Sequence, residues 1–191
     1  MTEALLLYKN QKDTNQKTVS MLKSETLVVL PCDTIYGLSG KVGPCTFSAL
    51  KELKKSVQQQ QFAILATLEQ AQDLCFVPDI LLEHWPCELT VVLPNRYDQG
   101  SSAVRVPKDP FMQQILTELG SPIYSTAVNP SGFTITNITD IIFTYKNKVQ
   151  AIVIDPDRQR DTPSTMIDMR TQPCTLLRCG SYDASAILNQ Y

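Results

Sequence analysis

The residues with the chemistry to make a site fall in five short stretches: Asp33-Thr34-Ile35-Tyr36, Ser101 to Pro107 around Arg105, Thr126 to Ser131 with Asn129, Pro163-Ser164-Thr165, and Leu177-Arg178. A helical run at 45–55 adds Lys51, Lys54 and Lys55. Hydroxyls, an amide and cations together suit an anionic, hydroxyl-bearing ligand, because they hydrogen-bond a carboxylate or phosphate while neutralising its charge. Arg105 is the sharpest of these signals. A guanidinium within Val104-Arg105-Val106 must be paired or aimed at an anion, since burying it alone costs several kcal/mol. The chain has no Gly-x-x-x-x-Gly-Lys-Ser/Thr, no Gly-x-Gly-x-x-Gly and no Ser/Cys–His nucleophile pair, and its single histidine, His84, reads as a packing residue beside Trp85. Catalysis by such a set works through positioning and electrostatic stabilisation, without a covalent enzyme intermediate. The plainer alternatives are an Asx-type turn at Asp33 and a solvated helix end for the lysines.

These residues need strands to deliver them, and the apolar runs supply candidates. Leu27-Val28-Val29-Leu30 reads as a strand buried on both faces, ended by Pro31, with a sharp bend expected near Gly37. Further strands are expected over 62–66, 89–94, 101–107, 123–128, 151–155, 163–168 and 174–180. Helices are expected at 18–23, 45–55, 67–74 with a Thr67/Gln70 capping box, 81–86, 138–145, and from Asp109-Pro110 to Gly120. Residues 1–24 read as scaffolding, and Gln58–Gln61 as a loop. The alternation of strands and helices predicts an α/β fold.

At 191 residues the chain is expected to form one domain, with no internal repeat or linker. A net charge of −2 excludes a dedicated non-specific nucleic-acid or membrane-surface binder, so any basic site is local. Six scattered cysteines without a Cys-x-x-Cys pair read as reduced thiols of a cytoplasmic protein. No apolar run approaches the roughly 20 residues of a membrane helix. A protein-built metal site is not expected, while magnesium held by phosphates needs little from the protein.

The order and spacing of these stretches resemble the YrdC-type threonylcarbamoyl-adenylate synthases over about residues 25–181. The family's Pro-Thr-Asp-Thr-x-Tyr-Gly-Leu stands as Pro31-Cys32-Asp33-Thr34-Ile35-Tyr36-Gly37-Leu38, and its Trp-Pro-Gly-Pro-Leu-Thr as Trp85-Pro86-Cys87-Glu88-Leu89-Thr90. Val104 to Pro107 match Val-Arg-Val-Pro, Thr126 to Gly132 follow Thr-Ser-Ala-Asn-x-Ser-Gly, Pro163 to Asp168 keep Pro-Ser-Thr-x-x-Asp, and Leu177 to Gly180 keep Leu-Arg-x-Gly. The resemblance implies a YrdC-like twisted mixed sheet flanked by helices, around a concave, positively charged cavity. It implies that L-threonine, bicarbonate and ATP with Mg2+ give threonylcarbamoyl-AMP and pyrophosphate, for modification of a tRNA adenosine. It further implies that Thr34, Tyr36, Arg105, Thr126 and Ser164 bind threonine, and that Lys54, Ser101, Asn129, Ser131 and Arg178 bind the nucleotide. Lys54, Arg105 and Thr34 would be catalytic. A single-domain form would pass its product to a separate transferase, with tRNA or another RNA as a candidate partner.

The chain departs from the family in one place above others. Lys-x-Arg-Pro-x-x-Lys-Pro aligns with Lys54-Lys55-Ser56-Val57-Gln58-Gln59-Gln60-Gln61, which keeps only the first lysine, and Ala127 stands for a serine. A rival expectation is therefore a catalytically impaired relative that binds nucleotide or RNA, or regulates a partner.

Overall fold

The structure, a computed structural model, describes residues 3–54, 61–128, 137–157 and 161–190. In chain order the first elements are β1 (Leu5–Tyr8), α1 (Thr14–Lys23), β2 (Val28–Pro31), β3 (Tyr36–Lys41), α2 (Pro44–Lys54) and β4 (Ala63–Leu65). Next come α3 (Leu68–Leu74), α4 (Asp79–His84), β5 (Leu89–Pro94), β6 (Ser101–Arg105), α5 (Pro110–Leu119) and β7 (Ile123–Ala127). The chain closes with α6 (Ile138–Tyr145), β8 (Ala151–Ile154), β9 (Thr165–Asp168), β10 (Thr175–Arg178) and α7 (Ser185–Gln190). The strands form one mixed sheet in the order β1-β8-β2-β3-β7-β4-β6-β5-β9-β10.

The β-branched run of β2 explains its central place. Val28 and Leu30 pack with Val19 and Leu22 of α1 and with Met112, Ile115 and Leu116 of α5. Val29 points the other way, into a cluster with Leu38, Leu50 of α2 and Ile141 of α6. A strand whose successive side chains meet helices on both sides must be apolar throughout. β8 follows the same rule, with Ala151 and Val153 on one side and Ile152 on the other.

Helix boundaries follow local chemistry. Thr67 and Gln70 form the expected capping box on α3. The Asp109 carboxylate accepts from the backbone N–H of Phe111 and Met112, Pro110 opens α5, and Gly120 closes it at φ 65°.

Two expectations need correction, and one helix is new. Gly37 does not turn the chain: the bend lies at 33–35, and Tyr36 to Lys41 run back along β2 as β3. The glycine serves a close approach instead, because a Cβ there would collide with the Ser125 hydroxyl on the neighbouring strand. The stretch 1–24 holds an edge strand, β1, whose side chains Leu5, Leu6 and Tyr8 are exposed, so no alternation marked it. Helix α7 has no counterpart in the sequence pattern, since only Ile187 of its side chains is buried.

Candidate active site

Seven consecutive strands of the sheet, from β3 through β7, β4, β6, β5 and β9 to β10, each contribute a residue to one cavity of about 280 Å³. Laid flat, seven strands would span about 29 Å at the usual spacing, so the sheet must curl to gather them around so small a space. The lining is polar at the strand ends: Thr34, Tyr36, Thr90, Ser125, Thr126 and Ser164. Lys54, Arg105 and Arg178 are its cations, and among the described lining residues there is no carboxylate.

Arg105 ends β6, where it is 4% exposed. Its Nη1 donates to Thr34 Oγ1 at 2.7 Å and lies 3.2 Å from Asp33 Oδ1. Asp33 is the anion that the Val-Arg-Val strand required. The other oxygen of Asp33 accepts from the backbone N–H of Lys108 at 3.0 Å. Arg105 Nε is buried and makes no hydrogen bond. Such an orphaned donor costs about 1–3 kcal/mol unless a ligand completes it.

In the same lining, Arg178 Nε donates to the Ser164 carbonyl at 3.0 Å and Nη2 to Ser164 Oγ at 3.0 Å. Ser164 Oγ is in turn 2.8 Å from Thr90 Oγ1. Burial, with Arg105 nearby, lowers the pKa of Arg178. The neighbouring Thr165 hydroxyl accepts from the N–H of Gly180 and of Tyr182, each at 3.1 Å, and donates to the Tyr182 carbonyl at 2.6 Å. Gly180 leaves no alternative: a Cβ there would meet the backbone of 163–165 closer than 3.0 Å.

Lys54 closes the third side. It ends α2 and donates to the Ala127 carbonyl at 2.9 Å, and burial lowers its pKa. Tyr36 lines the cavity, but its phenol oxygen accepts from the backbone N–H of Asp155 at 3.0 Å, tying β3 to the end of β8. Asp155 also meets Lys9, whose ammonium lies 3.0 Å from it and 2.6 Å from Asp109. Burial pushes the thiols of Cys75 and Cys87 up to about 11, which keeps both protonated near neutrality.

Seven of the residues expected in the site thus meet around one cavity: Thr34, Tyr36, Lys54, Arg105, Thr126, Ser164 and Arg178. Ser101 does not join them. It begins β6, about 13 Å of strand away from Arg105, and its carbonyl accepts from Gln61, which does line the cavity. Asn129, Ser131 and Lys55 lie outside the described residues. Thr90 joins the lining as well, and a lone hydroxyl inside Leu89-Thr90-Val91-Val92 is the same kind of signal that marks Arg105. His84 and Trp85 pack as expected: the indole N–H donates to the Leu89 carbonyl, and the imidazole Nδ1 lies 2.6 Å from the Tyr182 hydroxyl.

Among the described residues no group of three or more His, Cys, Asp or Glu is placed to hold a metal ion. No helix among them is long and apolar enough to cross a membrane.

A family model named Sua5/YciO/YrdC, described as "Telomere recombination", matches residues 20–180. A threonylcarbamoyl-AMP synthase of Yersinia pestis (strain Pestoides F) is 29% identical over 145 residues, covering 64% of this chain and 75% of that protein. The fold matches E. coli YciO at a TM-score of 0.86 and 20% identity, over 98% of this chain and 100% of that one. It matches P. abyssi Sua5 complexed with L-threonine at a TM-score of 0.87 and 22% identity, over 98% of this chain but 60% of the longer Sua5 chain.

Proposed function

The chain belongs to the Sua5/YciO/YrdC family, and on that premise we propose that it is a threonylcarbamoyl-AMP synthase. The reaction joins L-threonine, bicarbonate and ATP: the threonine amine and bicarbonate form a carbamate with loss of water, and a carbamate oxygen attacks the α-phosphate, displacing pyrophosphate. The product serves threonylcarbamoylation of a tRNA adenosine, with the acyl group passed to a separate transferase.

One observation carries this reading: two arginines line one cavity whose described lining has no carboxylate, each held by a hydroxyl-bearing neighbour. Arg105, with Thr34, suits the threonine carboxylate, because its orphaned Nε needs an acceptor. Thr126 and Tyr36 border that side. Arg178 and Lys54 suit the phosphates; Ser164, expected beside threonine, instead holds Arg178 through its carbonyl and hydroxyl, and with Thr90 fixes the plane of that guanidinium. Asn129 and Ser131, which follow β7, are assigned to the nucleotide on sequence alone. Fixed donors and cations of this kind stabilise charge that develops at the α-phosphate without reorganising during the reaction. Among the described residues the lining has no carboxylate set that fits a protein-held magnesium ion. Magnesium, where required, would travel on the ATP phosphates and supply charge neutralisation there.

A second reading, binding of nucleotide or RNA without turnover, is favoured by Ser56 and Gln60, which stand where the family motif has an arginine and a lysine. Pyrophosphate release from ATP decides between them. Release that needs both threonine and bicarbonate supports the synthase, whereas folded protein that binds nucleotide yet releases none supports the second reading.

A further inference from the structure

Cys87-Glu88 stands in the Trp85–Thr90 stretch where the family motif has Gly-Pro, so its carboxylate belongs to this chain and not to the shared pattern. Glu88 is 5% exposed and is not among the residues lining the cavity. Its Oε1 lies 2.8 Å from Lys108 Nζ, and the lysine side chain is 47% exposed. A lysine with that much access to water has no need of a buried partner for its own solvation. The pair must be read from the side of the glutamate and of what Lys108 touches.

Lys108 touches the site through its main chain. Its N–H donates to Asp33 Oδ2 at 3.0 Å, and the other oxygen of Asp33 faces Arg105. Glu88 touches the opposite side through its own main chain, where its carbonyl accepts from Thr165 N–H at 3.1 Å, the residue after Ser164. Cys87 N–H donates to the Val106 carbonyl at 3.0 Å, one residue beyond Arg105. Residues 87–88 therefore hold both halves of the cavity wall, and the ion pair adds a side-chain tie from Glu88 to the Asp33–Arg105 half.

We propose that Glu88 is a positioning residue: through Lys108 it sets the placement of Asp33, and through Asp33 the plane in which Arg105 presents its free Nε–H to the substrate carboxylate. The four charges Glu88, Lys108, Asp33 and Arg105 balance to zero, so this side of the cavity recognises its ligand by donor geometry rather than by net charge. Geometry of that kind is sensitive to sub-ångström shifts of the supporting residues.

The kinetic part of this proposal rests on the synthase reading, and the structural part does not. The variants are Glu88→Gln, Lys108→Met, the double variant and Lys108→Arg. Lys108→Met changes a half-exposed side chain and keeps the fold if the buried Glu88 change does not. The first readout is the Nε–Hε cross-peak of Arg105 in a 15N–1H spectrum, assigned by its loss in Arg105→Lys. The second is steady-state turnover. Both single variants are expected to move the cross-peak and to raise the threonine KM about five- to tenfold, the scale of one lost coupling between contacting residues. The ATP KM and kcat stay near wild type, the double variant is no worse than the worse single one, and Lys108→Arg restores both readouts. A cross-peak that stays in place, or an unchanged threonine KM in an active enzyme, overturns the proposal. Cross-peaks displaced in the variants, with no turnover by the wild type, overturn the synthase reading instead and support the positioning.

Discussion

Arg105 and Thr34 face each other across the join between β6 and the bend before β3, with Nη1 donating to Oγ1 at 2.7 Å. The hydroxyl orients the guanidinium, and Asp33 beside it supplies the counter-charge.

Thr34→Val keeps the shape of the bend and removes the acceptor. The threonine KM is expected to rise by roughly 10- to 100-fold, the range for leaving a charged donor without its partner. Arg105→Lys, which keeps the charge but loses the planar fork, is expected to abolish turnover with the fold intact. Arg105→Ala also strands the Asp33 carboxylate in a buried site, so it is expected to lose about 3–5 kcal/mol of stability as well. Thermal melting alongside pyrophosphate release separates the two effects.

Ser164→Ala removes the oxygen shared by Arg178 and Thr90 but leaves the Ser164 carbonyl to hold Arg178 Nε. Half of the arginine's anchoring survives. The ATP KM is expected to rise about tenfold, near 1.4 kcal/mol, while Arg178→Ala raises it further. Equal effects of both variants on ATP and threonine would contradict the division of the cavity into two sides.

Lys54 gives the site an alkaline limit. Burial disfavours its ammonium, so its pKa lies below the ordinary 10.5 and the charge is lost earlier than on a free lysine as pH rises. ATP affinity is expected to fall on the alkaline side before pH 10.5, and to be weak and flat across the same range in Lys54→Met. Titration of nucleotide binding with pH in both proteins checks this.

Lys9 has the opposite sign. Burial opposes its charge, but Asp109 and Asp155 outweigh that and raise its pKa above 10.5. Its contribution to stability is therefore full below 10.5 and is lost as pH rises through the higher folded value. Lys9→Met is expected to lower stability by about 1–2 kcal/mol at pH 8 for its two part-buried contacts. The gap to wild type should narrow in melts as pH rises past 10.5 and close once the raised folded pKa of Lys9 is passed and both proteins lack the charge.

Much of this was legible in the sequence because burial forces composition. A strand covered on both faces has to read like Val28-Val29-Leu30, and a guanidinium in such a strand has to find an anion, which Asp33 proved to be. Capping chemistry placed α3 and α5 to the residue. What escaped was carried by other causes. Exposed β1 has no alternation to read, and its pairing with β8 joins residues about 146 positions apart. Gly37 looked like a hinge, since its real constraint, the Ser125 hydroxyl, lies on a strand far along the chain. Ser101 and Arg105 share one short strand, and only the curl of the sheet decides which of its ends meets the cavity.

That curl ends at β10, which carries Arg178. The strand is exposed at every residue, has β9 as its single neighbour, and its register slips between Leu176 and Arg178. A strand with one partner, held from its far end mainly by the Arg178 contacts to Ser164, opens at a lower free energy than the core. The candidate pocket is thus less durable than the protein that contains it. Warming would detach its arginine wall by local opening, and activity would fade while β2, β8 and their helices still hold the melting transition.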